Sequence, residues 1–186
     1  MMKKEEELYI IEQVKKGDSS LFPRLVECHS PRILSIVRGV VGNKEDAEEV
    51  AQDVFVKAFF SLSGFRFESS FSTWLFKIAY NMSVSKVRIK KRDVSSFYDV
   101  ASVEDSTVAE SEDKGRKEEM FRALYSAIDQ LDTNDRFVLL SFYNHQKSIK
   151  EISQITGMSE SNVKVRLHRI KKRLAVMLDN NKLCYG

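Results

Sequence analysis

Cysteine and proline each occur only twice in 186 residues, glycine seven times and histidine three times. So little glycine and proline excludes a turn-rich β fold and points to helices with short connections. Cys28 and Cys184 have no metal-type spacing, and Cys28 beside His29 supplies two zinc ligands at most, so a buried thiol is expected at Cys28 and no metal site. The opening MMKKEEELYIIEQ lacks the apolar core of a signal peptide, and nowhere do 18 apolar residues run together. No membrane insertion and a cytoplasmic location are therefore expected. His29, His145 and His168 are scattered, and no glycine-rich phosphate loop, HExxH or GxSxG motif occurs. Neither an enzyme nor a cofactor is expected. A large excess of one charge is missing too: the formal net charge is +3, so what matters is where the charges sit.

Hydrophobic residues make up 42% of the chain and charged residues 31%, enough apolar mass for a core in one medium domain or two small ones. Helical periodicity dominates. It runs from residue 4 to 92 with breaks expected at KKGDSS, VECHSP and VVGNKED. The segment DVSSFYDVASVEDSTVAESED, residues 93–113, has seven acidic residues and no Lys or Arg. Such a segment buries too little surface to offset its ordering entropy and reads as a flexible linker. The helical pattern resumes near Glu118. The expected fold class is all-α: two small helical domains, residues 1–92 and 119–186, on an acidic tether at 93–118.

In the second domain, SIKEISQITGMSESNVKVRLHRI reads as helix, tight turn, helix. Ser148 followed by Glu151 is a capping box. Ile149, Ile152 and Ile155 give the first helix an apolar face. Gly157 falls where that helix must end, and Ser159 is a good N-cap for the next. Together these are the helix-turn-helix signature. On the second helix Val163, Leu167, Ile170, Leu174 and Met177 form the packing stripe. Ser161, Lys164, Val165, His168, Arg169 and Lys172 fall on the other side. A basic face is by itself as well explained by solvation. Val165 among cations favours a groove-facing surface, where it meets a thymine methyl while Lys164 and Arg169 meet guanine edges or phosphates.

Two segments of the first domain stand out. In DAEEVAQDVFVKAFFSL, residues 46–62, Ala47, Val50, Ala51, Val54, Ala58 and Leu62 make the core stripe. Glu49, Gln52, Asp53, Val56 and Phe60 lie opposite, a mixture that suits a partner interface unless Val56 and Phe60 pack on a neighbouring helix. In FRFESSFSTWLFKIAYNMSVSKVRIKKR, residues 65–92, Phe71, Trp74, Leu75, Ile78 and Met82 follow core spacing, and Phe76, Tyr80, Val84 and Val87 face the other way. Five of the last seven residues are Lys or Arg. Aromatics beside a basic run provide stacking platforms along a cationic track for single-stranded DNA, and the loop FRFESS is placed to receive an unstacked base. The alternative is a helix sandwiched between neighbours.

DAEEVAQDVFVKAF, then FSTWLFKIAYN leading to KVRIKKR, then AIDQLDTNDRFVLL and SIKEISQITGMSESNVKVRLHRIKKRL occur in an order that resembles the extracytoplasmic-function (ECF) sigma factors of bacterial RNA polymerase. The resemblance covers nearly the whole chain. It implies that residues 1–92 are sigma region 2, residues 119–186 are region 4, and the linker threads the channel later occupied by nascent RNA. It implies docking on the clamp helices of the largest polymerase subunit through Asp46, Glu49, Gln52, Asp53 and Phe55, with the flap of the second-largest subunit as a further contact. The −10 element would be read and melted by Phe65, Arg66, Phe67, Ser69, Ser70, Phe76, Tyr80, Asn81, Lys86, Arg88, Lys90, Lys91 and Arg92. The −35 element would be read by Ser161, Lys164, Val165, Arg166, His168, Arg169 and Lys172. Promoter DNA, core polymerase and an anti-sigma factor are the implied partners, and the free chain is expected to be monomeric.

This chain has Leu131-Asp132 where the family commonly has Leu-Pro, Asn162 where it favours Thr, and Val165 where it has a small polar residue. These departures bear on the start of one helix and on the −35 sequence, and leave the fold reading unchanged. The competing reading is a helix-turn-helix regulator with a ligand-sensing helical domain, which would dimerise on a palindrome. It leaves the aromatic–basic segment and the acidic helix without a purpose.

Overall fold

Among the described residues, 2–96 and 112–184 of the computed structural model, the chain folds into eight α-helices and no strand. They are α1 (Lys4–Lys15), α2 (Phe22–Val41), α3 (Lys44–Ser61), α4 (Phe71–Ser96), α5 (Glu112–Asp129), α6 (Thr133–Tyr143), α7 (Ile149–Thr156) and α8 (Glu160–Cys184). Local chemistry sets several of their boundaries. Gly42 ends α2 in a left-handed conformation, φ 84°, that is cheap only without a Cβ. Asn43 then caps α3 by accepting from the Asp46 amide at 2.8 Å, with Glu45 and Asp46 placed against the positive end of the helix dipole. Asp132 caps α6 through the amides of Asn134 and Asp135, at 2.9 and 3.0 Å. The aspartate standing where the family has proline therefore still starts a helix, by a different device.

Two expected boundaries are corrected. VECHSP is no break: α2 runs through Pro31 without interruption. Proline removes one backbone donor, while Leu25, His29, Ile33, Ile36 and Val37 bury the helix on both sides of it, so tertiary packing keeps the segment helical. The tether is also shorter than residues 93–118, because α4 continues to Ser96 and α5 already begins at Glu112. Residues 97–111 of the expected linker lie outside the described residues.

The two halves have separate cores but share a seam. Helices α1 to α4 enclose the first core, in which Ile10, Ile11, Leu25, Ile33, Ile36, Phe71 and Leu75 are fully buried. Val138, Ile152, Val163 and Ile170 anchor the second, between α5 and α8. Phe137, Leu140 and Ile155 belong to the second half of the chain yet pack into the first core. Gly39 makes room for this: a Cβ there would lie 2.5 Å from Leu140 Cδ1. Helix α6 thus seats on α2, and α7 on α4.

Candidate nucleic-acid interface

The helix-turn-helix forms as its residue types require. Ser148 and Glu151 close a reciprocal capping box at α7, and Gly157 ends that helix at φ 76°. Ser159 accepts from the Asn162 amide at 3.2 Å to start α8. Val163, Leu167, Ile170 and Leu174 are buried. Ser161, Lys164, Val165, His168, Arg169 and Lys172 form one exposed face, with Val165 48% exposed among the cations. Arg166 lies at its edge and is half-buried, its Nη1 paired with Asp135 at 2.6 Å and lying 3.9 Å from Asp132. Burial, and then the neighbouring Asp132, raise the Asp135 carboxyl above the usual carboxylate range despite Arg166.

In the first domain the expected reading surface divides. Arg66, Phe67 and Ser70 are exposed in the loop before α4, and Ser69 is half-exposed. Ser70 starts α4 by accepting from the Thr73 amide at 3.1 Å. Phe65 is a correction: only 3% exposed, its ring lies 5.2 Å from Trp74 and 5.7 Å from Phe71, so it supports the loop from below and presents nothing to a base. Trp74, expected in the core, is half-buried at the edge of that aromatic cluster.

Phe76 is a second correction. It is buried within the first core, which Phe137, Leu140 and Ile155 of the second half complete, leaving it 1% exposed. His145 lies edge-on at 5.2 Å and the Lys147 ammonium sits 5.0 Å from the Phe76 ring centre. Tyr80 is half-buried in the same seam, donating to Asn134 Oδ1 at 2.8 Å with its ring 4.9 Å from Phe137. Burial raises the Tyr80 phenol above its ordinary value. Burial likewise holds His145 below the usual imidazole range, with the charges of Arg32 and Lys147 acting in the same direction. Asn81 is exposed.

Lys147 is the polar centre of the seam. Only 9% exposed, its ammonium donates to Glu151 Oε1 at 3.0 Å, Ser72 Oγ at 3.1 Å and Thr73 Oγ1 at 3.3 Å. Thr73 in turn donates to Glu151 Oε1 at 2.8 Å. Neither Lys147 nor Asn134 was found by reading the sequence, since a lysine in a short loop and an asparagine in a first turn carry no periodic signal.

The basic run at the end of α4 is partly spoken for. Lys86 pairs with Glu49 at 2.6 Å and Asp46 at 3.2 Å, and Lys90 with Asp46 at 2.8 Å. The Lys90 hydrogen bond, aided by Lys86, holds the Asp46 carboxyl below its ordinary range although burial opposes this. Arg88, Lys91 and Arg92 are exposed and, with Arg166, line an open cleft of about 500 Å³ between the end of α4 and the start of α6.

On α3, Glu49, Gln52 and Asp53 are exposed together with Val56 and Phe60, which is 76% exposed, so those two apolar residues do not pack on a neighbouring helix. Phe55 is the third correction: at 7% exposed it belongs to the core and cannot contact a partner in this arrangement. Cys28 is only partly buried, whereas His29 is buried and paired with Glu7 at 2.7 Å. Among the described residues no group of three His, Cys, Asp or Glu is placed to hold a metal ion, and no helix is long and apolar enough to cross a membrane.

An exposed basic helix-turn-helix face, beside a second helical domain whose long helix combines aromatics with a basic end, defines a two-domain nucleic-acid-binding protein. The chain matches the Sigma-70 region 2 family over residues 25–93 and the Sigma-70, region 4 family over residues 121–174. It is 32% identical, over 90% of its own length and 94% of the relative's, to the ECF RNA polymerase sigma factor SigW of Bacillus subtilis strain 168. Two solved structures share the fold. One is CnrH in complex with the cytosolic domain of CnrY, 25% identical at a TM-score of 0.66, covering 92% of this chain and 96% of that one. The other is the sigma factor RpoE in complex with the anti-sigma factor NepR from Bartonella quintana, 20% identical at a TM-score of 0.67, covering 85% and 96%. The chain belongs to the ECF sigma factor family, a family of transcription initiation factors.

Proposed function

We propose that this chain binds core RNA polymerase, directs it to a two-part promoter and stabilises strand opening at −10, leaving catalysis to the polymerase. Residues 1–92 act as the polymerase-docking and −10 domain and 119–186 as the −35 domain, joined by a connector whose two ends are the close of α4 and the opening of α5. The observation that carries this reading is the exposed face of α8, where Ser161, Lys164, Val165, His168, Arg169 and Lys172 stand together on a capped helix-turn-helix. Phosphate contacts by its cations supply salt-dependent affinity and a few base contacts confer choice. Glu49, Gln52 and Asp53, with exposed Val56 and Phe60, form the docking surface. The loop from Arg66 to Ser70, followed by Asn81, Arg88 and Lys91, forms the −10 surface. The seam leaves Phe76 covered and Tyr80 half-covered, so both meet DNA only when α6 and α7 lift from α4. An anti-sigma factor is the expected regulatory partner, as the same fold in the Bartonella quintana protein is held by one.

The test is run-off transcription from genomic fragments with core polymerase of the same organism. Promoter-specific transcripts dependent on the added chain are expected. Their absence with every fragment, alongside normal transcription by another sigma factor, overturns the reading.

A further inference from the structure

The loop between α3 and α4 holds a feature that sequence period does not explain. Phe67 sits at φ 59°, in the left-handed region that a bulky residue seldom adopts, and its ring is 40% exposed. An exposed aromatic in a strained backbone gains little for the free fold, and such strain persists where neighbouring groups over-determine it. Those neighbours are visible. From below, the Phe65 ring supports Phe67 at a centroid distance of 4.8 Å. From the side, Lys15 at the end of α1 donates from Nζ to the Phe65 carbonyl at 2.7 Å and lies 5.2 Å from the centre of the Phe67 ring. One ammonium thus grips the loop twice, by a charge-assisted hydrogen bond to its backbone and by a cation–π contact to its exposed ring. Its own base is fixed, since Ile10, Ile11 and Val14 bury α1 in the first core.

We propose that Lys15 is a positioning residue for −10 recognition: it holds Phe67 as a preset stacking platform for an unstacked base, without touching DNA through α1. This rests on the proposed −10 role of the loop and adds to it a residue from a helix outside that surface. A platform already fixed in the free chain does not have to be ordered when a base arrives, so the lysine acts through preorganisation. The strained backbone at Phe67 is explained by the same requirement, because the clamp and the left-handed turn together aim the ring outward.

The experiment compares Lys15→Met, Lys15→Arg, Phe67→Ala and the Lys15→Met/Phe67→Ala pair in the full chain. In the free chain, quenching of Trp74, the one tryptophan of the sequence, reports the order of the adjoining aromatic cluster. Lys15→Met is expected to raise quenching and speed amide exchange at residues 66–68, and Lys15→Arg to restore both. In holoenzyme, permanganate reactivity of the −10 strand is followed on a promoter recovered from the run-off assay. Open-complex formation is expected to fall about five- to tenfold in Lys15→Met, as partial loss of one base–aromatic stack. Lys15→Arg should stay within about twofold of the parent, since the donor and cation are kept. The double variant should be no worse than Phe67→Ala alone, the signature of two residues acting as one unit.

Impaired opening in Phe67→Ala with none in Lys15→Met overturns the role of Lys15 while keeping the loop in the −10 surface. Fully additive losses overturn it as well. Normal opening in Phe67→Ala removes the loop from −10 recognition, and the positioning role with it.

Discussion

Glu151 is the residue on which the docking of the two domains can be tested most sharply. Its Oε2 accepts from the Ser148 amide at 3.0 Å and hydroxyl at 2.9 Å. Its Oε1 faces the seam, accepting from Thr73 at 2.8 Å and Lys147 at 3.0 Å. Burial opposes ionisation and is the largest single influence, but the Ser148 amide, Lys147, Thr73 and the Ser148 hydroxyl together outweigh it and hold the carboxyl at about 2, against 4.5 in an unstructured chain. At about 1.4 kcal/mol per tenfold change in proton affinity, that fall corresponds to about 3 kcal/mol. The side chain is 32% exposed, so screening brings the contribution to about 2 kcal/mol.

The folded carboxyl is the stronger acid, so this contribution is complete above pH 4.5, declines as the pH falls and is gone near pH 2. Glu151→Gln is the informative substitution, because glutamine also serves a capping box and spares the start of α7. What it removes is the charge opposite a nearly buried lysine, and an ammonium stripped of its counter-charge is costly to keep out of water. Urea unfolding at pH 7 should show a loss of about 2 kcal/mol, and the gap to the parent should close as the pH is lowered from 4.5 toward 2. A variant as stable as the parent at pH 7, or one that loses stability in acid as steeply as the parent, would refute the claim that the Lys147–Glu151 pair fastens the seam.

Phe137→Ala should destabilise the whole chain by about 3–5 kcal/mol, because this fully buried ring of α6 fills the core of the other domain; a thermal or urea midpoint nearly unchanged would show that the seam adds nothing to stability. Arg169→Ala should weaken promoter binding by about 1–3 kcal/mol if the side chain makes a bidentate base contact, and an unaltered footprint would assign Arg169 to the solvated side of α8. Asp53→Arg should impair retention of core polymerase in a pull-down without changing the melting temperature, since Asp53 is exposed and outside the core; equal retention would remove it from the docking surface.

The fold was legible wherever one local cause decides the backbone. Ser148 with Glu151, Gly157 and Ser159 each act over three or four residues, so their caps could be read and were found where expected. Pro31 was misread for the complementary reason. A single proline costs one hydrogen bond within its helix, and whether the helix survives depends on Ile33, Ile36 and Val37 finding a core that adjacent residues do not announce. The start of α5 was missed in the same way, because acidic composition alone does not separate the opening of a helix from an acidic tether.

The candidate surface was legible to one layer and no further. Helical angle separates residues facing a core from those facing away, and it placed Val165, Lys164 and Arg169 on the open side of α8. Applied to α4, the same angle set Phe76 and Tyr80 apart from Leu75 and Ile78, yet Phe76 shares the core with Leu75, and Tyr80 and Ile78 both pack against it. It could not report that a second layer, α6 and α7, arrives from more than 50 residues later in the chain and covers that side as well. Charge was hidden by the same distance. Lys86 and Lys90 read as free cations within their own helix, yet their partners Glu49 and Asp46 lie 37 and 44 residues upstream on α3. A basic run and an acidic helix that appear as two separate binding surfaces along the sequence are, in the folded chain, partly each other's counter-ions. Any polymerase or promoter that uses them must first compete with that pairing, and exposed pairs of this kind are weak enough to yield.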